Sequence, residues 1–190
     1  MREAILAARR QLAPEERALR SEQIAARVLS LEAFERSRTL AVYAPVGAEV
    51  DPSTIAAAAL ARGKRLAYPV LDEAVRALRF AACTPGALVA GALRCLAPPP
   101  EAEPIAPAEI DLVLVPGIAF DGAGRRLGRG RGHYDATLSA LRPDALRLGL
   151  AFELQLVPEV PHEPHDAPLH GVVTEARILW RPEAPAGASR

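Results

Sequence analysis

Residues 111–135 read DLVLVPGIAFDGAGRRLGRGRGHYD, and this stretch predicts a strand, a long loop and a helix in that order. The apolar run at residues 111–116 is typical of a buried strand. The loop that follows is rich in glycine and arginine, and we expect a helix over residues 134–141. A buried strand joined in this way to a helix favours an α/β domain.

The segments on either side of this stretch alternate between helices and strands. The helical pattern predicts helices at residues 2–12, 14–31 and 51–62, with Pro14 and Asp51 as typical first-turn and capping residues. Short apolar runs predict strands at residues 39–44, 66–71, 77–82, 146–152, 171–174 and 177–180. The proline-rich residues 96–107 are expected to form a surface connection. This alternation predicts a layered α/β domain with a mostly parallel sheet.

The composition limits the classes of function that the chain can have. Of its 190 residues 50% are apolar and 24% are charged, and Lys+Arg and Asp+Glu both number 23. The net charge of zero excludes a globally basic nucleic-acid binder, so any anion site must be a local cluster. No apolar run approaches the ~18 residues of a membrane span, and residues 1–12 lack the apolar core of a secretory signal. Cys83 and Cys95 fit no metal or disulfide pattern, so we expect a protein of the reducing cytoplasm.

The loop at residues 125–135 is the strongest candidate for chemistry, and its pattern favours phosphate binding. Its glycines let the backbone approach a ligand, and the helix that follows attracts anions through its free N–H groups. Its four arginines match phosphate oxygens, and Asp135 is suited to hold Mg²⁺ on those phosphates. The loop matches neither a Walker A sequence, which needs Gly-Lys-Ser/Thr, nor a dinucleotide fingerprint, since His133 stands at the last glycine position.

Two other interpretations of this loop stay open. Lys64 is the only lysine and asparagine is absent, which indicates a GC-rich genome, so the arginines can be generic basic residues of a flexible surface loop. The segment also resembles an RNA-binding RG repeat, although it is short and lies between ordered apolar elements. In either case we expect the loop to face solvent when no ligand is bound.

Residues 162–170 contain several potential metal ligands. His162, His165, Asp166 and His170 lie close together in sequence, which is compatible with a transition-metal site. Pro161, Pro164 and Pro168 exclude a helix here, so the spacing predicts no ligand geometry, and a polar connecting loop is the alternative. Asp166 as a second carboxylate for Mg²⁺ is the better-supported hypothesis.

Glu49 lies just after the strand expected at residues 39–44, where α/β domains place ligands. A binding role for its carboxylate is one interpretation. The other is a turn residue, followed by Asp51 as the cap of the next helix.

Beyond these local patterns, residues 115–121 (VPGIAFD) and 124–135 (GRRLGRGRGHYD) resemble the signature of the 5-formyltetrahydrofolate cyclo-ligases, also called 5,10-methenyltetrahydrofolate synthetases. Residues 14–17, 44–51, 63–69 and 148–174 follow the family pattern in the same order. The resemblance implies a single three-layer α/β/α domain with a mostly parallel, Rossmann-like sheet over residues 1–181. Residues 182–190 are then a disordered C-terminal tail.

The resemblance also implies the reaction. The implied enzyme uses ATP and Mg²⁺ to convert 5-formyltetrahydrofolate to 5,10-methenyltetrahydrofolate, and it releases ADP and phosphate. Phosphorylation of the formyl oxygen makes the formyl carbon electrophilic, and nitrogen 10 of the folate closes the ring. The implied partners are these small molecules, with no nucleic acid or membrane, and the implied form is a cytoplasmic monomer.

Residue by residue, the resemblance assigns three groups of contacts. The ATP contacts are Arg2, Arg126, Leu127, Gly128, Arg129, Gly130, Arg131, Gly132, His133 and Tyr134. The folate contacts are Val46, Glu49, Arg129, Gly130, Arg131, Gly132 and His133, and a tryptophan found near the folate in some members corresponds to Arg94. Asp135 and Asp166 correspond to the magnesium carboxylates, and Arg129 and Arg131 are expected to act in catalysis.

Two functions of other classes remain as alternatives. A sugar-phosphate isomerase or a CoA-transferase-like enzyme on the same layered architecture would use the loop for a substrate phosphate and need no ATP. A non-catalytic RNA-binding protein would use the RGRGRG segment and bind with a steep salt dependence.

Overall fold

The structure of the protein is a computed structural model that describes residues 1–71, 77–92, 95–130, 132–163 and 166–182. Arg94, Arg131, His165 and residues 183–190 of the expected tail lie outside the described residues. Within the described ranges, no helix combines the length and the apolar character that a membrane span requires.

Strand β7 (Leu112–Val115) precedes the glycine-rich loop and lies inside a large sheet. The other strands are β1 (Thr39–Ala41), β2 (Arg65–Val70), β3 (Arg79–Ala82), β4 (Val89–Ala90), β5 (Leu96–Ala97), β6 (Pro104–Ile105), β8 (Ala119–Phe120), β9 (Arg126–Leu127), β10 (Leu146–Leu150), β11 (Gly171–Val173) and β12 (Ile178–Trp180). In the described part of the chain the sheet has the order β12-β11-β10-β7-β1-β2-β3-β6. The strands from β11 to β2 run parallel, and β12, β3 and β6 add antiparallel edges, so the mostly parallel sheet is confirmed.

The helices are α1 (Arg2–Gln11), α2 (Pro14–Leu29), α3 (Glu32–Arg36), α4 (Ser53–Ala61) and α5 (His133–Ser139). Pro14 begins α2, with Glu15 and Glu16 in its electropositive first turn. The Asp51 carboxylate accepts a hydrogen bond from the Ser53 backbone N–H at 2.9 Å and so closes the start of α4. The start of α2 at Pro14 is confirmed. Helix α4 begins at Ser53 with Pro52 as its N-cap, so the prediction of Asp51 as the cap is wrong by one residue.

The sheet is covered on both faces. On one face Leu112 and Leu114 pack with Ile24 of α2 and Ile55 of α4. On the other face Val113 and Val115 pack with residues that include Leu138 of α5. A strand that is buried on both faces needs an apolar side chain at every position. Residues 112–115 are therefore all apolar and do not alternate between apolar and polar side chains. The three-layer α/β/α architecture is confirmed.

Several short elements differ from the predictions. The strand expected at residues 39–44 ends at Ala41, although the Val42 N–H still donates to the Ala67 carbonyl of β2 at 2.9 Å. Helix α3 and the β8–β9 hairpin were not predicted. The connection at residues 96–107 contains β5 and β6, and it buries Ile105 against the sheet. These elements are two to five residues long, which is too short for a periodic pattern to predict them.

The topology places a crevice between β1 and β7. In the described part of the chain the parallel strands lie side by side in the order β2-β1-β7-β10-β11. This order is that of the chain except that β2 and β1 are exchanged. From β1 the chain continues through α4 on one face, and from β7 it continues through α5 on the other. Adjacent strands whose connections leave to opposite faces open a crevice at their carboxyl ends, where α/β folds bind ligands.

Candidate active site

The first half of the glycine-rich loop is an ordered hairpin. Strands β8 and β9 pair antiparallel, and Asp121 lies in the turn between them. The buried carboxylate of Asp121 accepts hydrogen bonds from the backbone N–H groups of Ala123, Arg125 and Val160 at 2.9–3.0 Å. A buried carboxylate therefore fixes the backbone of this half, in which residues 122 and 123 are exposed and residues 125–128 are partly exposed.

The second half of the loop leads into α5. Gly130 and Gly132 have φ values of +89° and +67°, which side chains with a Cβ rarely adopt, and Gly132 directly precedes the helix. The Arg2 guanidinium lies beside Gly130, since a Cβ added there would be 3.5 Å from Arg2 Nη1. The N-terminal helix and the loop thus meet, although they are far apart in sequence.

An ion pair joins the two halves of the loop. Arg126 Nη2 donates to Asp135 Oδ1 at 2.6 Å, and the Arg126 side chain is only 4% exposed. The guanidinium also lies over the Tyr134 ring, 5.4 Å from its centre. Its Nε is buried with no hydrogen-bond partner among the described residues. Arg126 is thus a buried cation that is paired with Asp135. We expected its side chain to face solvent, and that expectation is wrong.

A second ion pair connects the loop to the end of β1. Arg129 Nη2 donates to Glu49 Oε1 at 2.8 Å, and the Glu49 side chain is 10% exposed while that of Arg129 is 54% exposed. Glu49 Oε2 accepts a hydrogen bond from the Val46 backbone N–H at 2.9 Å. The residues that the sequence singled out at 46, 49 and 129 are therefore in contact.

The larger of two cavities lies at the carboxyl ends of β1, β2 and β7 and has a volume of about 920 Å³. Its walls come from these strand ends, the β4–β5 hairpin and the loop. The predicted site residues among its lining are Val46, Glu49, Arg126, Gly128, Arg129, Gly132, His133, Tyr134 and Asp135. The resulting space is mostly apolar and has a few polar groups at one end, as in small-molecule sites.

The smaller cavity has a volume of about 390 Å³, and its lining includes six charged side chains, one histidine and several apolar residues. The charged side chains are Arg125, Arg126, Asp135, Glu163, Asp166 and Arg181, and the histidine is His162. Asp135 and Asp166 therefore share one cavity, although the sequence places them far apart. Arg126 and Asp135 line both cavities, so their ion pair stands at the boundary between them.

Asp135 and Asp166 do not form an all-protein metal cage. No group of three or more His, Cys, Asp and Glu side chains suited to a metal occurs in the part of the chain that the structure describes. Asp166 Oδ2 accepts the Glu163 backbone N–H at 2.8 Å. Two carboxylates beside a phosphate-sized space fit Mg²⁺, which binds through one or two carboxylates and completes its shell with water and phosphate oxygens.

His170 does not join these ligands. It is buried, and its Nδ1 accepts the Arg147 backbone N–H at 3.1 Å. Burial, with the charges of Arg147 and Arg181, lowers the pKa of His170 to about 4. The hydrogen bond gives His170 a structural role, and the hypothesis of a transition-metal site has no support among the described residues.

Sequence analysis missed two side chains near Glu49. Tyr43 lines the larger cavity and donates its hydroxyl to the Val50 carbonyl at 2.8 Å, while burial and the charge of Glu49 raise its pKa well above the usual value. Arg9 is 4% exposed and donates from Nη1 to the Gly117 carbonyl at 3.3 Å. Arg9 lies one turn after Ile5 on the buried face of α1, and that spacing is the signal that was available.

The chain resembles known proteins over nearly its whole length. The 5-formyltetrahydrofolate cyclo-ligase family model matches residues 1–175. The 5-formyltetrahydrofolate cyclo-ligase of Mycolicibacterium smegmatis is 36% identical over 148 residues, which cover 74% of this chain and 75% of the relative. The protein of the same name from Escherichia coli K12 is 32% identical over 174 residues, covering 90% and 96%.

A solved structure agrees with the fold. The NMR structure of 5,10-methenyltetrahydrofolate synthetase from Aquifex aeolicus has a TM-score of 0.83 and 31% sequence identity, and it covers 97% of this chain and 93% of its own. The resemblance drawn from residues 115–135 is therefore confirmed. The chain is an enzyme that belongs to the 5-formyltetrahydrofolate cyclo-ligase family.

Proposed function

We propose that the protein converts 5-formyltetrahydrofolate and ATP to 5,10-methenyltetrahydrofolate, ADP and phosphate, with Mg²⁺. The observation that carries the proposal is the Arg126–Asp135 pair, which lines both cavities. A reaction that transfers phosphate between two bound ligands needs a cation and a carboxylate at the point where the two ligands meet.

The larger cavity is suited to the folate. Its volume of about 920 Å³ is within the usual range for small-molecule sites, and its walls at Val46, Tyr43 and Tyr134 suit a flat ring system. The Glu49 carboxylate at one end accepts hydrogen bonds from N–H donors, which a pterin ring carries. Arg129, beside Glu49, supplies a charge that can move, since its side chain is half exposed.

The smaller cavity is suited to the phosphates of ATP. Arg125 and Arg126 bring positive charge to it, and Asp135 and Asp166 bring carboxylates. Gly128, Arg129 and Gly132 line the larger cavity, so the proposed ATP site extends across the boundary into that cavity. Arg2 lies against Gly130 of the same loop. We assign the ATP contacts to Arg2 and to residues 126–134. Bound at the two carboxylates, Mg²⁺ would neutralise phosphate charge.

The chemistry divides into two displacements. The formyl oxygen attacks the γ-phosphorus of ATP, and the bond from that phosphorus to the bridging oxygen of ADP breaks. Nitrogen 10 then attacks the activated formyl carbon, the carbon–oxygen bond breaks with release of phosphate, and the proton on nitrogen 10 is lost. We assign to Arg126, Arg129 and Arg131 the neutralisation of charge on the transferred phosphoryl group. The protein forms no covalent bond in either step.

Alignment is the other contribution of the protein. The two ligands meet at the Arg126–Asp135 pair, and holding them there replaces a bimolecular encounter by a reaction within one complex. Burial of Arg126 strengthens its interaction with phosphate, because little water competes. We propose that the enzyme acts on these small molecules as a monomer in the cytoplasm, with residues 1–181 as one domain.

The test is formation of the methenyl product, which absorbs where 5-formyltetrahydrofolate does not. We expect the absorbance to grow only when protein, ATP and Mg²⁺ are all present. A thermal-shift comparison separates the alternatives: stabilisation by ATP with Mg²⁺ supports the ligase, and stabilisation by ribose phosphate alone supports the isomerase. Binding to RNA that is independent of folate and weakens steeply with salt would support the RNA-binding protein.

A further inference from the structure

Arg181 lines the smaller cavity but lies outside the part of the chain that the family model matches. That match ends at residue 175, and Arg181 directly follows β12. Its side chain shares the cavity with Asp135 and Asp166, the two residues proposed to hold Mg²⁺. The resemblance to the family therefore assigns no role to Arg181, although Arg181 lines the proposed ATP site.

The edge of the sheet holds Arg181 in this position. Strand β12 pairs antiparallel with β11, and Gly171 lies opposite Trp180. The Arg181 N–H donates to the His170 carbonyl at 2.9 Å, which continues this pairing by one residue. His170 is itself buried, and its Nδ1 accepts the Arg147 N–H of β10. The backbone of Arg181 is therefore fixed, although the residue lies beyond the last strand that the structure describes.

The two cavities show on which side of the ATP site Arg181 lies. Arg126 and Asp135 line both cavities and so mark the boundary between them. Among the described residues, Arg181 and Asp166 line the smaller cavity and not the larger one. In the proposed reaction the phosphoryl group is transferred at the boundary, beside the folate. The two phosphates that remain in ADP then lie farther from the folate, on the side of Arg181.

The charges of the smaller cavity also favour a phosphate contact at Arg181. Asp135, Glu163 and Asp166 bring carboxylates to the lining, and a nucleotide adds the negative charge of its phosphates. Mg²⁺ offsets part of this charge, and cationic side chains must offset the rest. A guanidinium suits this task because its planar fork of N–H donors matches phosphate oxygens.

We propose that Arg181 binds the phosphates of ATP that remain in ADP and takes no part in the transfer of the third phosphate. The inference rests on the proposed function, because it takes the smaller cavity as the site of the ATP phosphates. Arg181 then differs from Arg126, which neutralises charge on the transferred group. A contact that is equally strong before, during and after the transfer lowers the KM for ATP and leaves kcat unchanged.

The substitution Arg181→Met tests this role, with Arg177→Met as the matched control. Arg177 lies just before the same strand, its side chain is 60% exposed, and it pairs with Glu153. Arg181→Met should raise the KM for ATP and the Kd for ADP with Mg²⁺ by about tenfold, the effect of losing one charge-assisted contact. Arg181→Lys, which keeps the charge but loses the fork, should have a smaller effect. Both Arg181 variants should keep kcat and the KM for 5-formyltetrahydrofolate, and Arg177→Met should leave all four constants unchanged.

Adenosine separates a phosphate contact from a purely structural role, because adenosine carries no phosphate. Isothermal titration calorimetry gives the Kd values of adenosine and of ADP without turnover. Arg181→Met should weaken the binding of ADP and leave that of adenosine unchanged. Equal weakening of the two ligands would overturn the inference, and so would an unchanged Kd for ADP. If Arg181→Met does not fold, Arg181→Lys gives the same comparison.

Two further results would place Arg181 elsewhere and overturn the inference. A fall in kcat with an unchanged KM for ATP would place Arg181 at the transferred phosphoryl group. A change only in the Mg²⁺ concentration that gives half-maximal activity would mean that Arg181 acts on the carboxylates alone. A wild-type enzyme that makes no methenyl product would overturn the proposed function, whereas an active enzyme whose ADP binding is insensitive to Arg181→Met overturns this inference alone.

Discussion

Arg126 Nη2 lies 2.6 Å from Asp135 Oδ1, and this pair forms part of the wall of both cavities. In the proposed reaction each member has a second partner, since Asp135 takes the metal and Arg126 takes the phosphoryl group. Binding of Mg²⁺ with ATP would therefore exchange one ion pair for two new contacts without leaving either charge unpaired. The pair holds both side chains ready at the boundary where the two substrates meet.

Substitution of Asp135 tests its metal role. Asp135→Asn keeps the shape of the side chain but removes the charge, so we expect at least a tenfold loss of kcat/KM, or about 1.4 kcal/mol of transition-state stabilisation. The concentration of Mg²⁺ that gives half-maximal activity should rise as well. Asp144→Asn, at an exposed aspartate, is the control. Near-normal turnover at saturating Mg²⁺ would contradict the metal role of Asp135.

The loop arginines should have unequal effects when each is changed to alanine. A charge-assisted contact to phosphate contributes about 1.5–3 kcal/mol, which corresponds to roughly a tenfold to hundredfold loss of kcat/KM for ATP. We expect larger losses at Arg126 and Arg129 than at Arg131. Arg126→Ala should also lower the melting temperature, because its buried side chain pairs with Asp135. The exposed Arg36→Ala is the control, and three fully active loop variants would mean that the arginines are generic basic residues.

Glu49→Gln distinguishes the two cavities. The change removes the carboxylate charge that faces the larger cavity, so the KM for 5-formyltetrahydrofolate should rise more than the KM for ATP. Steady-state kinetics with each substrate varied in turn gives both constants. If only the KM for ATP changed, Glu49 would act on ATP and not on the folate, which would contradict the assignment.

Gly124 should be required for the fold of the loop. Its φ is +75°, and a Cβ added there would lie 2.3 Å from the Leu169 carbonyl oxygen, in backbone that cannot easily move. We expect Gly124→Ala to cost about 2–4 kcal/mol in the free energy of unfolding, from the clash and the strained backbone together. At Gly122 an added Cβ would meet nothing within 4 Å, so Gly122→Ala is the matched control. The free energy of unfolding of both variants is measured with denaturant. Equal values would show that the loop can shift to accommodate a Cβ at residue 124, which would contradict the prediction.

Local patterns in the sequence predicted the central part of the fold. Residues 112–115 are apolar without interruption, so their burial between two layers follows from their composition. The start of α2 at Pro14 follows from one residue type at one position. The β8–β9 hairpin was not predicted, although the Asp121 carboxylate accepts two N–H groups of its own turn, from Ala123 and Arg125. Its third hydrogen bond comes from the Val160 backbone, far along the chain, and no local pattern indicates that contact.

The candidate site shows the same division. Glycines and arginines crowded into one loop indicate a phosphate site by themselves, and the ends of parallel strands indicate where Glu49 lies. The contact between Arg129 and Glu49 depends on how the loop folds back over β1, which no spacing encodes. Arg9 looks like an ordinary helix charge until its burial is known.

The origin of the oxygen in the released phosphate tests the central claim most directly. If the formyl oxygen is phosphorylated, 5-formyltetrahydrofolate labelled with ¹⁸O in the formyl group must pass its label to phosphate as the methenyl product forms. We predict one ¹⁸O atom for each phosphate released in the presence of protein, ATP and Mg²⁺. Unlabelled phosphate released in step with the methenyl product, with the label recovered in water, would contradict the account.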